Sequence, residues 1–366
     1  MVRLTRVQRQ ERTRAAVLVA ARAEFAERGY ADAKIDRIAE RAELTRGAVY
    51  SNFPSKRALY LAVLVDSLDG TGTGAGAGAG AGPGEAPPTR GLDDALGAFA
   101  RVWLERLPLL GDSPAGAELR LRSTAGLFDD DRGRGALAQV TWLEALLLGL
   151  ALESHAPDVR RVRLAELVLT LLNGSGHLAG AAPGFGDPFD VARACRHLAG
   201  LDLADSFDPP HLPFAAPATA VRDGWEPPGG LTDEIGGRPA GLDADGVVAV
   251  LGTGRLRAAE EAVRAARPGD RVTVAVVTAD PAEVGRLVRL RIGDVTGCLR
   301  RAFAPDAWPD LRLVLDDRGA VAAAAGVAEP GDDTEVAVRV RAGGIVARAD
   351  GRGAAHAVAS VDGSRV

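Results

Sequence analysis

Residues 38–63 read IAERAELTRGAVYSNFPSKRALYLAV, and their spacing decides how the first part of the chain folds. With Ile35, the residues Ile38 and Ala39 give an apolar face to a short helix predicted over Lys34 to Arg41. Thr45 stands before GAVYSNF as the N-cap of the next helix. Pro54 closes that helix, and Ser55 caps another running from Lys56 to Leu68. Upstream, Leu18, Ala21 and Phe25 recur at helical spacing, and Gly29 sits where a C-terminal αL cap would end a first helix. Ile38, Ala39, Leu44, Val49 and Phe53 then suffice for a small core that sets the angle between the second and third helices.

Working outward, the whole chain has 366 residues, more than one ordinary domain of ~100–200. At 47% hydrophobic and 25% charged it has the composition of a globular protein rather than of a disordered tail. No run approaches the ~18 to 20 uncharged apolar residues of a bilayer crossing, so no membrane partner is expected. The basic start, MVRLTRVQRQERTR, leads into sequence broken by Arg22 and Glu24, which does not fit a secretory signal; a cytoplasmic location is expected. Two cysteines, Cys195 and Cys298, make neither a disulfide framework nor a structural zinc site. His155, His177 and His197 lack metal-ligand spacing, so neither metal nor cofactor is expected. The net charge of −5 is unevenly spread: residues 1–70 hold 13 Lys+Arg against 9 Asp+Glu, and the remainder carries −9. Only two of the 44 cations are lysines, Lys34 and Lys56, and both fall in that basic segment.

Two breaks in composition divide the chain. Gly70 to Gly84 reads GTGTGAGAGAGAGPG and is expected to be a flexible tether within a linker over 71–87. Residues 205–241 are crowded with Pro and Gly and read as an extended connector. Between them, residues 88–204 carry apolar-periodic stretches at Leu92 to Leu107, Ala136 to Leu152, Val159 to Leu178 and Phe189 to Leu201, the pattern of an all-α bundle. In 242–366 the period changes. Val247 to Leu251 and Val272 to Val277 flank a helical stretch, Arg255 to Ala266, as in a parallel βαβ unit. Leu311 to Leu315 is a further strand, and Glu335 to Val340 with Ile345 to Ala349 reads as a hairpin around Gly343-Gly344. The fold class is multidomain: an all-α head at 1–70, an all-α bundle, then an α/β unit.

The first segment resembles the DNA-binding domain of the TetR family of transcriptional regulators, through Phe25, Gly29, Ile38-Ala39, Gly47, Tyr50, Phe53, Ser55-Lys56 and Leu59. The resemblance implies a helix-turn-helix at about 33–52, its second helix lying in the ~12 Å wide major groove of double-stranded DNA. It implies DNA contacts from Lys34, Thr45, Arg46, Gly47, Ala48, Tyr50, Ser51, Asn52 and Lys56. Thr45 and Arg46 would meet base edges or nearby phosphates, and Tyr50, Asn52, Lys34 and Lys56 the phosphate backbone. One position departs from the family: Glu43 stands in the turn where glycine is usual, at an expected cost of ~1 kcal/mol for a left-handed conformation.

The resemblance also makes 88–204 an effector-binding and dimerisation domain. LAELVLTLLNGSGHLAG and FDVARACRHLAGL resemble the two helices that would pair with those of a second subunit on a palindromic operator. Phe99, Trp103, Phe128, Trp142 and His177 are the candidates for lining a small-molecule pocket, although aromatics at helical spacing commonly serve as core. The implied function is a ligand-responsive dimeric repressor with no catalytic residues.

The order of strands and helices from Asp245 onward is similar to the thioredoxin-like fold, in particular its peroxiredoxin branch. That branch holds a reactive cysteine after the first strand. Here the place reads Gly252-Thr253-Gly254-Arg255-Leu256-Arg257. The expectation is therefore a non-catalytic accessory domain. The alternative is a thiol-redox enzyme, or a redox-linked protein-interaction scaffold.

Overall fold

A computed structural model of the chain describes residues 5–72, 91–106, 127–157, 159–182, 184–210, 215 and 217–361. Helix α1 (Arg6–Asp32) opens with a capping box: the Gln8 amide donates to the Thr5 hydroxyl oxygen, and the Thr5 amide donates to Oε1 of Gln8. Val17, Ala21 and Phe25 form its buried stripe, with Leu18 half-buried beside them. Gly29 takes φ 70°, but another turn follows as far as Asp32. The glycine kinks the helix rather than ending it.

Helices α2 (Ile35–Arg41), α3 (Arg46–Asn52) and α4 (Lys56–Gly72) complete the head. Its core joins Phe25, Ile38, Val49, Phe53, Leu59 and Tyr60. Helix α4 continues past Leu68 into the glycine run, because its hydrogen-bonded ladder needs no side chains to reach Gly72. The rest of the 71–87 linker lies outside the described residues.

The bundle consists of α5 (Leu92–Leu104), α6 (Asp131–Glu153), α7 (Val162–Ala181) and α8 (Pro188–Leu198). Helix α5 packs along α8, and α6 along α7. A Cβ at Gly149 of α6 would come within 2.9 Å of the Val162 backbone, so glycine permits that close approach. By length and composition α6 could cross a membrane, which run length alone had not suggested; 61% of its most apolar window is buried in the fold. It also carries the buried acids Glu144 and Glu153.

The stretch 205–241 is more than a connector. It holds β1 (Thr219–Gly224) and a two-stranded ribbon, β2 (Thr232–Asp233) with β3 (Arg238–Pro239). After it come β4 (Gly246–Gly252), α9 (Ala258–Ala265), β5 (Val272–Val277), a π turn (Pro281–Gly285), α10 (Arg286–Ala302) and β6 (Arg312–Leu315). Then follow α11 (Ala320–Ala324), β7 (Glu335–Arg341), β8 (Gly344–Asp350) and α12 (Ala354–Ser360). The six-stranded sheet has the order β1-β8-β7-β4-β5-β6, with β4, β5 and β6 parallel and β7, β8 and β1 antiparallel to their neighbours.

Side chains alternate across this sheet with period two. Val247, Ala249, Leu251, Val274, Val276 and Leu313 enter the same core as the bundle, whereas Val248, Val250, Ala275, Val314 and Val338 face Trp225, Leu242 and α11. Helix α10 lies where the parts meet, against α4, α5 and α6. The Phe99 ring of α5 sits 6.3 Å from the Phe303 ring beyond α10. The α/β unit thus shares a continuous core with the bundle instead of standing apart from it.

Candidate nucleic-acid interface

The turn between α2 and α3 holds Glu43 at φ 55°, the left-handed conformation its position demands. The Leu44 amide donates to the Ala39 carbonyl at 2.9 Å, closing α2 and turning the chain toward α3. Thr45 caps α3: its Oγ1 accepts from the Ala48 amide at 3.2 Å, while its hydroxyl proton is left to donate elsewhere. Val49 is the one residue of α3 that is buried, and it anchors the helix on the head's core. Arg46, Gly47, Tyr50 and Ser51 are exposed around it, and Ala48 and Asn52 half-exposed.

The Arg46 guanidinium lies 5.5 Å from the Tyr50 ring centre and 3.5 Å from the Asp36 carboxylate. Tyr50 first and Asp36 second push its pKa further up, so its charge is permanent. Ser51 Oγ and Asn52 Nδ2 each donate to the Ala48 carbonyl at 2.9 Å. Asn52 Nδ2 also reaches Ser51 Oγ at 3.5 Å. Lys34 is exposed at the start of α2. Lys56 is half-buried; its Nζ donates to the Ala31 carbonyl at 2.9 Å and lies 4.9 Å from the Tyr30 ring, and burial lowers its pKa.

One acid that sequence reasoning passed over holds this arrangement. Glu24 is fully buried in α1, where it accepts from the Lys34 amide at 3.4 Å and pairs with Arg28 at 3.4 Å and Arg41 at 3.5 Å. Arg41 grips Glu27 as well, at 2.9 and 2.5 Å. Its spacing from Val17 and Ala21 put Glu24 on the apolar face of α1, and that was the available signal.

The five pocket candidates do not converge. Phe99 and Trp103 are buried in the core that the bundle shares with the sheet. Phe128 belongs to the head's cluster, under the Arg57 guanidinium at 5.3 Å. Trp142 is half-buried and stacked by Arg257 at 4.0 Å, and His177 is exposed on α7. Helical spacing reported the burial of Phe99, Trp103 and Phe128, not a shared cavity.

At the end of β4, where a thioredoxin-like enzyme would carry its cysteine, the Thr253 hydroxyl donates to Asp332 at 2.9 Å and that of Thr278 at 2.6 Å. Helix α6 covers this corner: Gln139 Oε1 accepts from the Arg257 amide at 3.2 Å, and Trp142 lies under the Arg257 guanidinium. Cys195 and Cys298 are both buried, and burial pushes each thiol up to about 11. Among the described residues no group of three or more His, Cys, Asp or Glu side chains could hold a metal ion.

Residues 17–63 match the model of the bacterial regulatory proteins of the tetR family. Over 64 residues the chain is 45% identical to the HTH-type transcriptional activator FasR of Mycolicibacterium smegmatis, covering 18% of this chain and 29% of that protein. It is also 30% identical over 156 residues to an imidazolonepropionase of Symbiobacterium thermophilum, covering 42% of this chain and 34% of that one. The chain spans about a third of the length of these curated relatives. Among solved structures, NalD of Pseudomonas aeruginosa is similar over 52% of this chain and 94% of its own, at 19% identity and a TM-score of 0.32. A TetR transcriptional regulator from Rhodococcus sp. RHA1 is similar over the same shares, at 19% identity and a TM-score of 0.31. The matched residues build the second half of α1, then α2, the turn, α3 and the first part of α4, so the N-terminal head of this chain is a DNA-binding domain of the TetR family.

Proposed function

We propose that the protein is a sequence-specific transcriptional regulator that binds a palindromic operator as a homodimer in the cytoplasm. The observation that carries this reading is the α3 surface, where Thr45, Arg46, Gly47, Tyr50 and Ser51 stand exposed on a helix anchored by Val49. Dimerisation is supported by apolar side chains left open around α7 and α8: Leu167 at 41% exposure, Leu178 at 43%, and Phe185 and Phe189 at 70% each. Occupying the operator would block transcription, and a small molecule binding the bundle would release it. A thioredoxin-like fold for 242–366 is supported by the strand order β8-β7-β4-β5, with a helix between the parallel β4 and β5 and a hairpin before α12. Its role is non-catalytic, since the corner after β4 has no cysteine and is covered by α6.

The test is selection of bound duplexes from a random DNA pool, with the wild type and with a Thr45→Ala/Arg46→Ala/Tyr50→Ala variant. Wild type should enrich a palindrome that the variant does not. Enrichment of the same palindrome by both would remove these side chains from recognition. Binding should also weaken steeply with salt, each lost phosphate contact lowering the log–log slope by about one.

A further inference from the structure

We infer that Glu283, in the C-terminal α/β unit, is a positioning residue for the DNA-reading helix, holding the corner between α3 and α4. This rests on the reading of the head as an operator-binding domain. Glu283 lies in the π turn Pro281–Gly285, which Asp280 caps by accepting from the Glu283 amide at 3.0 Å. Its carboxylate accepts from the Ser55 hydroxyl through one oxygen and from Arg57 through the other. Ser55 is itself the cap of α4, its Oγ accepting from the Ala58 amide at 2.9 Å. Glu283 thus grips the cap that follows Asn52-Phe53-Pro54, the end of the reading helix.

The next turn of the same segment adds to the grip. Arg286 donates to the Ala58 carbonyl at 2.9 Å, and its guanidinium lies 5.6 Å from the Phe53 ring centre. Val284, Leu287 and Leu290 are buried within the head's own core, beside residues of α1 and α4. Arg57 ties in the bundle as well, donating to the Leu127 carbonyl at 3.2 Å and to Asp130 at 2.5 Å. Head, bundle and α/β unit therefore meet at Ser55 and Arg57. Helix α4 itself packs along α10 of the α/β unit. A shift of that unit against the bundle would move the reading helix, a coupling of the size usual between linked sites, roughly 5- to 150-fold in affinity.

The test uses the full chain with Glu283→Ala and Glu283→Gln, and a duplex enriched by the wild type. Removing an acid from a DNA-binding protein tightens binding if only overall charge matters. Positioning has the opposite sign: Glu283→Ala should weaken binding at least about fivefold. Glu283→Gln, which keeps the side chain's shape and an acceptor oxygen, should lie in between. Amide hydrogen exchange across Phe53 to Leu59 should quicken in the same order, with circular dichroism unchanged. Unchanged or tighter binding with unchanged exchange overturns the inference. Should the wild type bind no DNA, the regulator reading fails, and the exchange of this corner still decides whether Glu283 orders it.

Discussion

Arg46 and Arg57 belong to the same head and differ in almost everything else. Arg46 is exposed on the reading helix, with a loose approach to Asp36 and a ring contact to Tyr50. Arg57 is gathered by Glu283, Asp130 and the Leu127 carbonyl, with Phe128 against its plane. The first is free to meet a ligand, and the second is used up within the molecule. The solvent side of the head stays open, and the opposite side is bound into the other two parts.

The sharpest way to break this contrast is to attack the packed side. Leu287→Ala removes a fully buried side chain that the α/β unit lends to the head's core. It should lower stability by about 2–5 kcal/mol, as large-to-small core changes do. Denaturant unfolding followed by a probe in α1 and another in the sheet should report a common transition that shifts together. A transition that moves in the sheet alone would mean the head does not depend on Leu287.

Arg46→Ala tests the open side and should act in the reverse manner. Operator affinity should fall by about 1–3 kcal/mol if Arg46 meets a base edge, with sequence preference relaxed at that position. The unfolding free energy should stay within about 0.5 kcal/mol of wild type, as for most surface substitutions. A uniform loss across all sequences would reassign Arg46 to the phosphate backbone.

How much of this was legible in the sequence follows from the range of the contacts. The head could be read because the contacts that fix its helix-turn-helix are local: Ile38, Val49 and Phe53 fall within a single short motif. Strands β4 and β5 could be read because they are buried on both faces and so rich in Val with little polar interruption. Strand β1 could not, since Thr219, Ala220, Arg222 and Asp223 are exposed on an edge and carry no alternation. The grip of Glu283 on Ser55 and Arg57 spans most of the chain; Ser55 could be read as a local cap, but nothing in the sequence marked its distant partner, and in a protein so rich in arginine Arg57 did not stand out. The aromatics scatter for a related reason: burial is written into helical spacing, but which buried side chains face each other is not.

Glu43 gives the smallest effect and the finest cut between the two sides. It is exposed at φ 55°, a conformation that costs a residue with a side chain about 1 kcal/mol relative to glycine. Glu43→Gly relieves that strain but gives the unfolded chain more freedom, so the net gain in stability should be only about 0.5 kcal/mol. Glu43→Ala removes the same charge and leaves the strain in place. If the turn matters to DNA through its charge, both variants should tighten operator binding equally at low salt, with the difference from wild type fading as salt rises. If it matters through backbone geometry, Glu43→Gly alone should change affinity, and the change should persist at high salt.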